Sequence, residues 1–365
     1  MAQTRIVFLI GNYGTGGKER QLTEIIWRLA KEKYEVHLFM KNDNSYYFDT
    51  IKGHVTSYYS LEKEKFSILD ILALRLFNKS IQPDVVFSFS TTLSHYALLL
   101  KLLGGFHFRL INGSIRDAPV EFNMKMKFER FMYNFYEQVV ANSRAGLRAY
   151  NQHGKNGRYV LYNGFNDDRI PRRSKDELRE ELGLDDKFTV IMVASMGNSK
   201  DQTTFIRAAN QIIKEDNDIQ FYLIGDGPKK NEYEKLVESL NNKKNIFFTG
   251  EVNSPELYFC AADLSVLCSA YWHGEGIPNV VLESMATGTP AIATNNGGTK
   301  EILINNFNGY LIKNGDYNRI AKYILDLKKD NTLLKKLGKN SRLYAENYFF
   351  IDKIKTDFIN LLSES

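Results

Sequence analysis

ADLSVLCSAYWHGEGIPNVVLESMATGTPAIAT, residues 262–294, reads as strand, loop, helix and strand in succession. ADLSVLCS (262–269) and PAIAT (290–294) are short apolar runs that lack the polar alternation of a half-exposed strand. Between them, PNVVLESMATG starts with Pro278 at a first helical position and stops at Gly288, which leaves 271–277 as a loop. Apolar strands joined by a helix belong to a parallel sheet covered on both faces. The same alternation extends in both directions. RIVFLIG (5–11), EVHLFM (35–40), DVVFSFS (84–90), FRLING (108–113), QVVANS (138–143) and YVLYNG (159–164) form one set of strands. FTVIMVAS (188–195), IQFYLIGDG (219–227), NIFFTG (245–250) and GYLI (309–312) join the opening stretch in a second. Helical segments such as ERQLTEIIWRLAKE (19–32), QTTFIRAANQIIKED (202–216) and KKNEYEKLVESLN (229–241) lie between them. The expectation is an α/β protein of two Rossmann-like, doubly wound domains.

The break falls in FNDDRIPRRSKDELREELGLDD (165–186), where apolar periodicity lapses and charges crowd around Pro171. This places a first domain over 1–165 and a second over 166–344, with a C-terminal helix of about 345–365 packing back on the first. A chain of 365 residues with 43% hydrophobic and 25% charged residues has the composition of a globular protein of that size. The N-terminal apolar run is too short for a secretion signal, and YALLLKLLGGFHF (96–108) is broken by Lys101 and two glycines before it could span a bilayer. Cys260 and Cys268 sit in an apolar run, as small core residues of a reducing compartment do. A cytoplasmic location is expected. Residues 1–165 carry 22 Lys and Arg against 14 Asp and Glu, whereas 166–365 carry 26 against 29. No nucleic-acid-binding motif accompanies the basic half, so nucleic acid is not an expected partner.

Glu275 precedes the helix of the opening stretch and Glu283 lies inside it, with seven residues between them. Backbone around Gly276, Ile277, Pro278 and Asn279 forms the positive end of the helix dipole, a seat for an anion. Two carboxylates that accept from hydroxyls, flanking an anion seat, suit a nucleotide sugar. Glu283 would hold the ribose and Glu275 would face the sugar. The plainer reading makes both acids solvated helix-start residues.

With GTGGKER (14–20), ANS (141–143), NGFN (163–166), KD (200–201), GDGP (225–228), FTGEV (248–252), EGIPNVVLESMATGTPAIAT (275–294) and GG (297–298) in this order, the chain resembles the retaining GT-B glycosyltransferases of family 4 over nearly its whole length. The resemblance implies two domains facing across a cleft, the donor held mainly by the second and the acceptor by the first. It matches Lys200 to the diphosphate-binding lysine, Glu283 to the ribose-binding acid and Glu275 to the acid near the sugar. It also matches Gly16 and Gly17 to a first-domain glycine loop, Gly225 to the GDGP turn, and Gly250 and Val252 to the segment lining the nucleobase. Three positions depart from the pattern. Ser195 stands where an arginine often pairs with the lysine, Asn166 replaces a turn aspartate, and Arg116 follows the strand where many members carry a histidine. Arg116 would contact donor phosphate or acceptor, and as a lasting cation it is no base at neutral pH.

The function implied is retaining transfer of a hexose-type sugar from a nucleotide-diphosphate donor, UDP favoured, to a saccharide or lipid-linked saccharide in cell-surface glycan synthesis. No cofactor and no metal are expected, with Lys200, Arg116 and Glu275 as the catalytic set. A GT-B sugar-nucleotide epimerase and a non-catalytic sugar-nucleotide-binding protein are the alternatives. Residues 120–140, VEFNMKMKFERFMYNFYEQVV, placed on one helix, gather Met124, Phe128, Phe131, Met132, Phe135 and Val139 on one side. This is either a core-facing helix or, given Lys125, Lys127 and Arg130, a surface for peripheral contact with an anionic membrane at its inner face.

Overall fold

The computed structural model describes residues 3–14, 16–29, 33–43, 46–63 and 65–363. It divides into two compact units, Met1–Ala118 with Phe122–Asn163 and Ile354–Ser365, and Pro119–Glu121 with Gly164–Lys353.

The first unit is a seven-stranded parallel sheet of β1 (Thr4–Asn12), β2 (Tyr34–Asn42), β3 (Ser57–Ser60), β4 (Val85–Ser88), β5 (Arg109–Ile115), β6 (Gln138–Ala141) and β7 (Arg158–Val160). Their order is β3-β2-β1-β4-β5-β6-β7. Ile6 to Ile10 of β1 are wholly buried, as a central strand covered on both faces requires. The chain's last helix, Ile351–Ser363, is drawn to this sheet by Phe358, whose ring lies 6.0 Å from Phe8 and 5.3 Å from Phe87. Arg109 adds a hydrogen bond of 2.6 Å to the carbonyl of Leu362.

The second unit is a six-stranded parallel sheet of β8 (Phe188–Val193), β9 (Ile219–Ile224), β10 (Ile246–Gly250), β11 (Leu264–Leu267), β12 (Ala291–Thr294) and β13 (Gly309–Ile312), in the order β10-β9-β8-β11-β12-β13. In each sheet the strand order reverses once, between β1 and β4 and between β8 and β11. Loops leaving neighbouring strands at such a point diverge to opposite faces and open a crevice at the strands' carboxyl ends.

Two local expectations are corrected. Pro278 is not the first helical residue but the N-cap of the Asn279–Ala286 helix, with ψ 112; its carbonyl accepts from Val281 and Leu282 while its own backbone stays extended. Residues 120–140 are not one helix. Met124–Met132 is helical, Tyr133–Phe135 is a 3-10 turn, and Gln138–Ala141 is β6, which buries Val139 and Val140 in the sheet. The core-facing reading holds only for Met132, which packs partly buried against the core of the first unit; no residue of this helix is fully buried.

Candidate active site

In the second unit, the chain leaving β8 is zipped to the chain leaving β11. The Ala270 amide donates to the Ser199 carbonyl and the Asp201 amide to the Cys268 carbonyl, at 3.0 and 2.9 Å. Asp201 then turns outward to cap the Gln202–Glu215 helix through the Thr204 amide and hydroxyl, at 3.0 and 2.6 Å. Its neighbour Lys200 is left pointing the other way, into the loop that follows β11. There its ammonium is ion-paired with Glu275. The Ser269 hydroxyl donates 2.6 Å to the same carboxylate oxygen, and His273 Nε2 lies 3.8 Å from the other. Glu275 is only 7% exposed. Burial pushes its carboxyl up, but the Lys200 charge and the hydrogen bonds from Lys200 and Ser269 outweigh burial and hold it below the usual carboxylate range.

The backbone of Glu275 is clamped as well. The Gly298 amide donates 2.8 Å to its carbonyl, and Asn296 Nδ2 donates 2.8 Å to the carbonyl of His273. Gly297, at φ +50, packs so tightly that a β-carbon there would stand 2.0 Å from the Glu275 carbonyl oxygen. Beyond Glu275, Gly276, Ile277 and Pro278 are buried, and the Asn279–Ala286 helix brings its positive dipole end to this loop. Glu283 is the fifth residue of that helix and 1% exposed, so the solvated helix-start reading fails for both acids.

Gly225 and Gly250 meet at the ends of β9 and β10, where the Gly225 amide donates 2.8 Å to the Gly250 carbonyl. Gly225 holds φ +135, and a β-carbon on it would stand 2.2 Å from the carbonyl oxygen of Ala194, just past β8. Val252 follows, partly buried, in the loop after β10. Ser195, in the same loop after β8, is exposed, and its carbonyl accepts 2.9 Å from Gln202 Nε2. The second-unit residues assigned to a donor thus lie at or after the carboxyl ends of β10, β9, β8 and β11, a row that includes the point between β8 and β11 where strand order reverses.

In the first unit, Gly17 opens the Gly17–Leu29 helix directly after β1, and Gly16 precedes it; Thr15 of the GTGGKER motif lies outside the described residues. A β-carbon on Gly16 would stand 2.6 Å from a carboxylate oxygen of Glu19. Arg116 extends from the end of β5. Its Nε donates 3.1 Å to the Gly113 carbonyl, another guanidinium nitrogen donates 3.2 Å to Asn163 Oδ1, and the group lies 4.5 Å over the Phe89 ring. Burial pulls its pKa down to about 10 against the opposing charge of Glu19, so Arg116 is a cation at neutral pH.

The sequence reading named Lys200 and Glu275 but not their pairing, gave GG no task, and overlooked Ser269 and His273. Ser269 had a usable signal in its place two residues beyond β11, at the mouth of the reversal point.

A profile described as Glycosyltransferase Family 4 matches residues 15–169, and one described as Glycosyl transferases group 1 matches residues 174–344. The chain is a family 4 glycosyltransferase. Its GT-B fold is that of the Anabaena HepE protein solved with UDP and glucose, at a TM-score of 0.85 and 20% identity over 99% of this chain and 100% of the other. The transferase is 24% identical over 369 residues, 96% of each chain, to the N-acetylgalactosamine-N,N'-diacetylbacillosaminyl-diphospho-undecaprenol 4-alpha-N-acetylgalactosaminyltransferase of Campylobacter jejuni. It is 30% identical to the Escherichia coli UDP-Gal:alpha-D-GlcNAc-diphosphoundecaprenol alpha-1,3-galactosyltransferase over 56% of this chain and 54% of that protein. Among the described residues, no helix of the transferase is long and apolar enough to cross a membrane.

Proposed function

We propose that the transferase moves a hexose-type sugar from a UDP-sugar to a lipid-linked saccharide, with retention and without a metal, in cell-surface polysaccharide synthesis at the cytoplasmic face of a membrane. The observation that carries this reading is the buried Lys200–Glu275 pair beside the Asn279–Ala286 helix at the reversal point of the second sheet. A diphosphate seated at the helix N-terminus competes with Glu275 for Lys200, and the freed Glu275 then faces the sugar. As the bond from the anomeric carbon to the diphosphate oxygen breaks, its electron pair stays on that oxygen, where Lys200 and the helix dipole already supply positive charge. The acceptor hydroxyl attacks from the same face and passes its proton to the departing oxygen. Glu275 positions the sugar and stabilises the charge that develops on it. Arg116, Gly16 and Gly17 serve the donor or acceptor from the first unit. Relatives named for diphospho-undecaprenol-linked acceptors, one with a UDP-Gal donor, support the choice of substrates.

Titration calorimetry with a panel of UDP-, GDP- and ADP-sugars tests the reading. A UDP-sugar should bind, and Glu283→Ala should weaken it by roughly ten- to a hundredfold, the worth of a hydrogen bond to a charged group. Glu275→Gln should bind the donor nearly as well and turn it over far more slowly. A panel without a binder, or a Glu283→Ala protein with undiminished affinity, overturns the assignment.

A further inference from the structure

The Met124–Met132 helix of the first unit sets only Met132 against the core and leaves the rest of its apolar side outside it. Met124 is 79% exposed, and Phe128, Phe131 and Phe135 are each more than half exposed. The Phe128 ring lies 6.0 Å from His95 of the Thr91–Leu103 helix, so the two helices are neighbours. That second helix exposes Leu99, Leu102 and Leu103, and Lys101 at its end reaches Glu137 at 2.8 Å, just beyond Phe135. Seven large apolar side chains are thereby presented to solvent from two neighbouring helices and the 3-10 turn that follows one of them. Single exposed hydrophobes need no explanation, but a group of this size marks a binding surface.

Charge indicates what covers it. A shallow groove beside Phe131 is lined by Lys127, Arg130, Asn134, Asn151 and Lys155, with no carboxylate among them. Asn134 Oδ1 accepts 2.7 Å from Lys155 and so holds that ammonium at the groove. Arg130 is steadied 5.4 Å over the Phe122 ring. Nearby acids are already engaged, Glu137 by Lys101, Glu129 by Lys125 at 3.9 Å, and Asp117 by the Tyr150 hydroxyl at 3.0 Å. Three cations beside exposed aromatic rings match the boundary between phosphate head groups and acyl chains.

We propose that this face of the first unit rests in an anionic lipid leaflet, with Phe128, Phe131 and Phe135 among the upper acyl chains and Lys127, Arg130 and Lys155 closing on a lipid phosphate. This gives a residue-level form to the membrane-side acceptor of the proposed function and rests on that reading.

Flotation of the full-length protein with vesicles tests it. The wild type should float with phosphatidylcholine vesicles containing phosphatidylglycerol, and not with phosphatidylcholine alone. At ~1 kcal/mol per basic residue near the surface, replacing Lys127, Arg130 and Lys155 together by Gln should lower partitioning roughly a hundredfold. Phe128→Ser with Phe131→Ser should lower it by another route, both variants keeping the wild-type melting temperature. Vesicles given equal charge by oleate, which lacks phosphate, should recruit the wild type less well. A wild type that stays down with phosphatidylglycerol, a triple variant that floats like the wild type, or equal recruitment by oleate overturns the proposal. UDP binding measured on the same samples separates the two readings. Protein that binds UDP and does not float has lost only the docking surface, and protein that floats without binding UDP has lost only the donor reading.

Discussion

Lys200→Ala is expected to abolish sugar transfer and to destabilise the second unit. Two losses coincide in this one change. Glu275 is left buried without its cation, and removing one partner of a buried pair costs about 3–5 kcal/mol. The diphosphate also loses its side-chain cation from the second unit, because Ser195, where a partner arginine would be expected, is exposed and uncharged. Loss of a donor aimed at developing charge costs about 10²- to 10³-fold in turnover. The pH dependence of folding should change sign as well. In the wild type the Glu275 carboxyl is held down, so its contribution is complete above the ordinary carboxylate range and is lost as pH falls through the depressed folded value. In the variant, burial, the largest influence on this carboxyl, is opposed only by the Ser269 hydrogen bond and the neighbouring His273, so the carboxyl rises and the penalty at neutral pH is relieved on acidification. Melting temperatures between pH ~4 and ~7 should show the difference between the two proteins narrowing as the solution becomes acidic. A variant with wild-type turnover and an unchanged melting profile would remove Lys200 from the site.

Gly297→Ala is expected to reduce turnover at least a hundredfold although it replaces no side chain that meets substrate. The added β-carbon would stand 2.0 Å from the carbonyl oxygen of Glu275 and 2.7 Å from its amide nitrogen. Both are backbone atoms, so the 273–275 loop has to move as a unit and carry the carboxylate off Lys200 and Ser269. A displacement of about 1 Å in a catalytic group costs on the order of 10²-fold. Gly315→Ala is the control. Gly315 also has a positive φ, +72, but has open space where the β-carbon would go, so it reports backbone strain alone. Equal turnover in the two variants would show that the GG pair has no bearing on Glu275.

The strands were legible because a strand buried on both faces is written as an unbroken apolar run, and IVFLI, VIMV and AIAT are such runs. β3 was missed for the opposite reason. It is a four-residue edge strand, SYYS, whose tyrosines stay 48% and 43% exposed and leave no periodic signal. Glu275, Glu283 and Lys200 could be named from local spacing and resemblance. Their contact could not, since Lys200 and Glu275 are 75 positions apart and meet only because β11 inserts beside β8 in the sheet. The same non-local closeness gives Gly297 and Ser269 their places. For the Met124–Met132 helix, apolar periodicity identified a face but not that most of it stays exposed, because a buried and an exposed apolar face are written with the same side chains.

The most direct test of the whole account is the product of one transfer reaction run in excess chelator, with a UDP-sugar and a lipid-linked saccharide acceptor, and its anomeric configuration read by proton NMR. Transfer at the rate seen without chelator, into a product that keeps the donor's anomeric configuration, is the result predicted from Lys200 and the helix dipole as the charge that meets the departing diphosphate. An inverted product, or activity that chelator removes and a divalent ion restores, would contradict it.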